Sequence, residues 1–174
     1  MPPLAPAGSL LASVALPVVA LPVVALPAAA GAASAGGAFA WSLVLSGAVV
    51  MASLIPLGAG RSQANFTPAD LAAPRAMFER LPAWGKRASW AHQNSFEAFT
   101  LHAPACLLCL LVAPALMTTS PWTAVAALLH PALRLGYLGA YVANLPPLRS
   151  LCWAGGILTT ALLYGEGLRA VLRS

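Results

Sequence analysis

Four apolar stretches, residues 38–59, 89–112, 122–145 and 151–171, dominate this chain. Each is about as long as the 20 or so residues that a helix needs to cross a bilayer. The first is free of charge from Ala38 to Ala59 and has Trp41 near one end, where an aromatic ring suits the membrane interface. Only 7% of the 174 residues are charged and 60% are hydrophobic. An ordinary soluble domain carries about 25% charge, and a fold of this size leaves much of its surface wet. The expectation is an all-α integral membrane protein, a four-helix bundle.

The net charge of +5 does not point to nucleic acid. Five of the nine basic residues (Arg61, Arg75, Arg80, Lys86 and Arg87) lie in one segment between apolar runs. Cytoplasmic loops gather Lys and Arg in this way, so loop 60–86 is expected in the cytosol and both chain ends on the other side. Pro68, Pro74 and Pro82 punctuate that loop, and its mixture of apolar and charged residues suggests a short amphipathic helix at the headgroups. The stretch from Ala113 to Pro121 has no charge, as the far side of the membrane would require.

Residues 1–37 form a low-complexity extension with a near-repeat, Ala15-Leu16-Pro17-Val18-Val19 followed by Ala20-Leu21-Pro22-Val23-Val24. A proline every five residues removes backbone donors and disfavours a clean helix. The segment reads either as a disposable extension or as a fifth, broken helix, because neighbouring helices can satisfy a broken backbone. Cys106, Cys109 and Cys152 all fall in apolar runs, and Leu107 and Leu108 separate the first two, which favours inert buried thiols. His102 and His130 lack a set of partner ligands, so no metal site is expected.

Two polar stripes interrupt the apolar runs. On the second run, Arg87, Asn94 and Glu97 share one helical face with Trp90 among them. On the third, His130, Arg134, Tyr137 and Tyr141 are spaced i, i+4, i+7 and i+11. Ionisable groups at membrane depth are expensive and mark functional sites by default. Glu97 is the expected partner of Arg134, and the pair reads either as a binding site or as a structural ion pair that fixes packing.

The run Lys86-Arg87-Ala88-x-x-Ala91-His92-x-Asn94-Ser95-Phe96-Glu97-Ala98-Phe99 resembles the second-helix signature of the MAPEG proteins, the membrane-associated proteins in eicosanoid and glutathione metabolism. The likeness is to their bacterial-type branch. A second run is similar to the family's third-helix motif: Arg134-x-x-Tyr137-x-x-x-Tyr141-x-x-Asn144-x-Pro146-x-x-Arg149-Ser150. The likeness covers residues 38–174.

The resemblance implies a homotrimer of four-helix bundles, with glutathione as co-substrate bound between subunits near the cytosolic face. By motif position it implies that Asn94 and Glu97 contact the glutathione backbone. Arg87, Arg134 and Tyr137 join them in the binding set, and Tyr141, Arg149 and Ser150 sit by the thiol as the catalytic set. A cation or hydroxyl donor beside sulfur raises the thiolate fraction. The implied activity is transfer or peroxidase chemistry on lipophilic electrophiles, with membrane lipids as surroundings.

One departure counts against it. Glutathione-using members often carry a further arginine where this chain has Trp90 and Gln93. Losing a charge-assisted contact costs about 1.5–3 kcal/mol. The alternative is therefore a non-catalytic scaffold or lipid-binding protein that keeps the same fold.

Overall fold

The computed structural model describes residues 36–173, and every regular element among them is helical. The reading of residues 1–37 therefore lies almost entirely outside the described residues. Six α-helices follow in order: α1 Gly37–Ala52, α2 Leu54–Ser62, α3 Ala83–Leu111, α4 Ala113–Thr119, α5 Trp122–Val142 and α6 Pro146–Val171.

α1 and α2 together make the first expected span, broken at Ser53. Pro56 has no N–H for the carbonyl of Ala52, and the Ser53 hydroxyl turns back to the Val50 carbonyl at 2.6 Å. The second span begins earlier than its apolar pattern, because Pro82 at the N-cap starts α3 at Ala83 and brings Lys86 and Arg87 into the helix. α3 runs through Pro104 without interruption. The charge-free connection after it is itself partly helical, as α4.

Among the described residues three segments are long and apolar enough to cross a membrane: Gly37–Ser62, Ala83–Leu111 and Trp122–Val142. α6 has the length, 26 residues, but its Arg149, Glu166 and Arg169 lower its hydropathy. It packs most extensively along α5.

The amphipathic helix expected in loop 60–86 is replaced by two short 3-10 helices, Pro68–Leu71 and Pro74–Arg80. Proline suits a first helical position and disfavours the α region in the residue before it. Ala73, at φ −142° and ψ 64°, breaks the segment in two. The first turn is closed by Asp70, whose Oδ2 accepts the Thr67 N–H at 2.9 Å, and Arg80 pairs with the same carboxylate.

Large apolar side chains face outward, among them Val44, Met51, Ile55, Leu111, Val125, Leu151 and Leu158. The interior of α3 is built instead from Ala88, Ala91, Ser95, Ala98, His102 and Ala105. Membrane helices associate through small residues and polar bonds because lipid tails are as apolar as leucine. α2 and α3 approach closely at Gly60 and Gly85, where a β-carbon on Gly60 would meet the Gly85 Cα at 3.0 Å.

A polar spine ties the bundle together. Pro131 in α5 leaves the Ala127 carbonyl without its helical donor, and the Ser42 hydroxyl of α1 donates to that carbonyl at 2.6 Å. With its one proton committed, Ser42 accepts from His102 Nε2 at 2.9 Å. His102 Nδ1 meets Thr160 of α6 at 3.0 Å. His102 and His130 stack with ring centroids 3.5 Å apart and planes 4° apart, and His130 Nδ1 donates to the Gly156 carbonyl at 3.1 Å. Four helices thus share one buried hydrogen-bonded network.

Candidate functional site

The two sequence stripes meet where α3 packs on α5. Arg134 is 3% exposed, and its Nη2 donates to Asn94 Oδ1 at 2.9 Å. Asn94 Nδ2 in turn lies 3.4 Å from Glu97 Oε2. Gln93 Nε2 donates to Glu97 Oε1 at 3.0 Å. The direct ion pair expected between Glu97 and Arg134 is not formed: among the described residues Asn94 stands between them as a relay. Glu97 faces outward, where its carboxyl group is open to another molecule.

The guanidinium of Arg134 lies over the Tyr137 ring at 4.1 Å. Its Nε is buried with no hydrogen-bond partner. Tyr137 meets Tyr141 edge-on, with ring centroids 5.4 Å apart. The Arg149 guanidinium of α6 sits 4.8 Å over the Tyr141 ring. Tyr137, Tyr141, Arg149 and Ser150, with Trp153, line a small cleft of about 250 Å³. α3, α5 and the start of α6 thus bring Asn94, Glu97, Arg134, Tyr137, Tyr141, Arg149 and Ser150 into one continuous cluster.

The family profile of the MAPEG family matches residues 9–169, which is most of the chain. The chain belongs to the MAPEG family. No curated protein and no solved structure matches it.

Of the residues expected at the site of this MAPEG chain, Arg87 alone stands apart. Its Nε donates to the Val142 carbonyl at 3.2 Å, which ties α3 to the C-terminal end of α5 rather than reaching Asn94. Lysines and arginines commonly hold the last carbonyls of a helix. Trp90, counted on the same stripe, turns the other way and packs on Phe78 with ring centroids 5.5 Å apart. His92 also stays within the chain, with Nδ1 2.7 Å from the Ser53 hydroxyl.

Two residues take parts that the sequence reading did not give them. Gln93 anchors Glu97, and its position four residues earlier on the same helix was the available signal. Trp153 closes the small cleft one turn after Arg149 and Ser150, which is again helical spacing. Among the described residues no group of three or more His, Cys, Asp or Glu could hold a metal ion. Cys106, Cys109 and Cys152 are free and buried.

Proposed function

We propose that this protein is a glutathione-dependent transferase or peroxidase that acts on lipophilic electrophiles dissolved in the bilayer. The observation that carries this is Arg134. It is a buried cation with one nitrogen on Asn94, its Nε without a partner and, among the described residues, no carboxylate in direct contact. Buried charges normally have full complements of partners, so an arginine in this state is suited to a ligand anion. When bound, glutathione supplies a thiol nucleophile.

The chain's own residues have distinct tasks in this reading. Arg134 and Asn94 would hold a carboxylate of the tripeptide, and Glu97, anchored by Gln93, would face its amino group. Arg149 and Ser150 would present a cation and a hydroxyl to the sulfur, which favours the thiolate. Tyr141 keeps the Arg149 guanidinium in place from beneath, and Tyr137 does the same for Arg134. The cleft of about 250 Å³ is small for a tripeptide, since ligand pockets usually run from about 300 to 1,000 Å³. In this reading a second copy of the chain, as in a homotrimer, closes over the exposed Glu97 and completes the site.

A second reading, a scaffold without catalysis, draws on Trp90 and Gln93. Trp90 turns away from the cluster, and Gln93 spends its amide on Glu97. Calorimetric titration of glutathione into the detergent-solubilised protein separates the two. Saturable binding that Glu97→Ala abolishes supports the transferase reading. No heat at millimolar glutathione would leave the scaffold.

A further inference from the structure

Three buried polar atoms have no hydrogen-bond partner among the described residues: Ser46 Oγ of α1, and His130 Nε2 and Arg134 Nε of α5. Their residues are only 3%, 2% and 3% exposed, so bulk solvent does not serve them. Buried polar atoms in folded proteins are paired, with protein or with ordered water.

The three converge at one depth. α1 runs antiparallel to α3, because Ser42 meets His102 and Ser53 meets His92. α3 runs antiparallel to α5, because His102 stacks on His130 and Asn94 meets Arg134. Ser46, one turn on from Ser42, therefore lies at the level of Ala98 on α3 and between His130 and Arg134 on α5. α1 and α5 pack directly on each other. Gly156 of α6 brings the two nitrogens together: a β-carbon there would stand 3.5 Å from Arg134 Cδ and 3.8 Å from His130 Cε1. Those carbons are bonded to the unpaired Nε and Nε2. Ala98 is buried and Gly156 has no side chain, so the walls at this depth are small.

The donor and acceptor roles select the occupant. Arg134 Nε can only donate. His130 Nδ1 gives its proton to the Gly156 carbonyl at 3.1 Å, which leaves Nε2 a bare acceptor, and Ser46 can take either role. We propose that Ser46, His130 and Arg134 hold one buried water molecule beside Gly156. It accepts from Arg134 Nε, donates to His130 Nε2 and shares its third bond with the Ser46 hydroxyl. Three bonds are the usual complement of a buried water. A chloride ion has no proton for His130, and a metal cation would face a guanidinium.

Through that water the Arg134 cluster and the polar spine become one line, from Glu97 by way of Asn94, Arg134, His130, Thr160 and His102 to Ser42. Ser46, His130 and Gly156 are then positioning residues: they fix the guanidinium at its inner edge, while Asn94 fixes it from α3. Water satisfies the N–H group and brings no charge, so Arg134 still lacks an anion. This positioning role rests on Arg134 as the anion-binding residue of the proposed function, whereas the water itself does not.

The test uses the full chain in lipid bilayers, with nitrogen-15-labelled histidine and solid-state NMR. Loss of one signal in His130→Gln assigns that ring. In the wild type its Nε2 should show the shift of a bare nitrogen that accepts a hydrogen bond, with a cross-peak to water. Gly156→Ala puts a methyl in the water's place, so it should lose the cross-peak, move Nε2 to the shift of a non-bonded nitrogen and lower the thermal midpoint. Gly156→Ser supplies a hydroxyl there, so it should lose the cross-peak yet keep the bonded shift and the wild-type midpoint. A non-bonded Nε2 in the wild type would overturn the water, as would identical shifts in the two variants or a wild-type shift that follows chloride concentration. Calorimetric titration of glutathione reads the role. Gly156→Ala should bind about tenfold more weakly, the effect of one lost charge-assisted contact, and Gly156→Ser as tightly as the wild type. Equal binding by all three overturns the positioning role. No binding by any of them overturns the transferase reading and that role together, while the water stands on the NMR result.

Discussion

Ser42 does two things with one hydroxyl: it gives its proton to the carbonyl that Pro131 leaves open, and it accepts from His102. Ser42→Ala leaves the Ala127 carbonyl without that donor and His102 Nε2 with only the Cys106 sulfur, 3.1 Å away. An orphaned buried polar group costs about 1–3 kcal/mol, so this variant should lose more stability in detergent unfolding than Ser46→Ala, whose hydroxyl is buried without a partner. At the site, Asn94→Ala should unfold more readily than wild type by about 1.5–3 kcal/mol, because it removes the amide oxygen that accepts from a buried guanidinium. Asn94→Asp should recover that loss and should be the better test of the relay, since it offers Arg134 a charge instead of an amide. Outside the membrane, Asp70 has its carboxyl held below its ordinary value of 3.8, chiefly by the Thr67 N–H. Its contribution is present above that ordinary value and is lost as pH falls through the lowered one. Amide exchange at Thr67 should therefore accelerate only at acid pH below about 4. The sequence named Asn94, Glu97 and Arg134 but not their order of contact. A helical stripe states which residues share a face, and whether an amide or a carboxylate reaches the arginine depends on one side chain's length.

The helices themselves were legible because membrane spans need long apolar runs, and three of the four came out close to their expected positions. Their ends were not. Hydropathy ends α3 at its first charges, whereas the physical start is Pro82, and the two turns that carry Lys86 and Arg87 belong to the helix. The loop before it was misread for a related reason: its apolar and charged residues do alternate in amphipathic fashion, but Pro68 and Pro74 each start a new turn. Sequence could not show the contact between α2 and α3, since a glycine advertises permission for a close approach without naming its partner. Gly60 and Gly85 are mutual partners, and a β-carbon on Gly85 would lie 3.3 Å from the Gly60 Cα and 3.2 Å from the Pro82 ring. Gly85→Leu should force α2 off α3 and destabilise the protein by about 1–3 kcal/mol, the usual effect of overpacking. Because α2 and α3 together line a cleft that Trp90 borders, the variant should also change the fluorescence of Trp90. Gly58→Leu, where nothing lies within 4 Å of the added carbon, should do neither.

For the whole molecule the open question is whether α6 crosses. Its charged residues lie toward the two ends: Arg149 in the first turn, Glu166 and Arg169 near the last. Between them lies an outward face of Leu151, Ile157, Leu158 and Leu162. At about 1.5 Å per residue its 26 residues reach about 39 Å, against a hydrocarbon core of about 30 Å. Glu166 is also satisfied within the chain, by Ser120 at 2.9 Å and Arg169 at 2.7 Å. Ser120 belongs to the connection that leads into α5, so the C-terminal end of α6 lies at the opposite end of the bundle from Pro146. A helix lying flat on the surface could not bring Glu166 there while keeping Arg149 over Tyr141 at the other end of α5. α6 should therefore cross, making four spans with residues 60–86 on one side and residue 173 on the other. Single cysteines placed at Asp70 and at Arg173, in a chain whose native thiols are buried, test this directly in sealed vesicles. An impermeant maleimide added outside should label one position and spare the other until the vesicles are opened. If both sites react from the same side, the protein has three spans and α6 is not a membrane helix. The excess of arginine and lysine in residues 60–86 further predicts that this loop is the cytosolic side, so in right-side-out vesicles the cysteine at position 173 is the one that should react first.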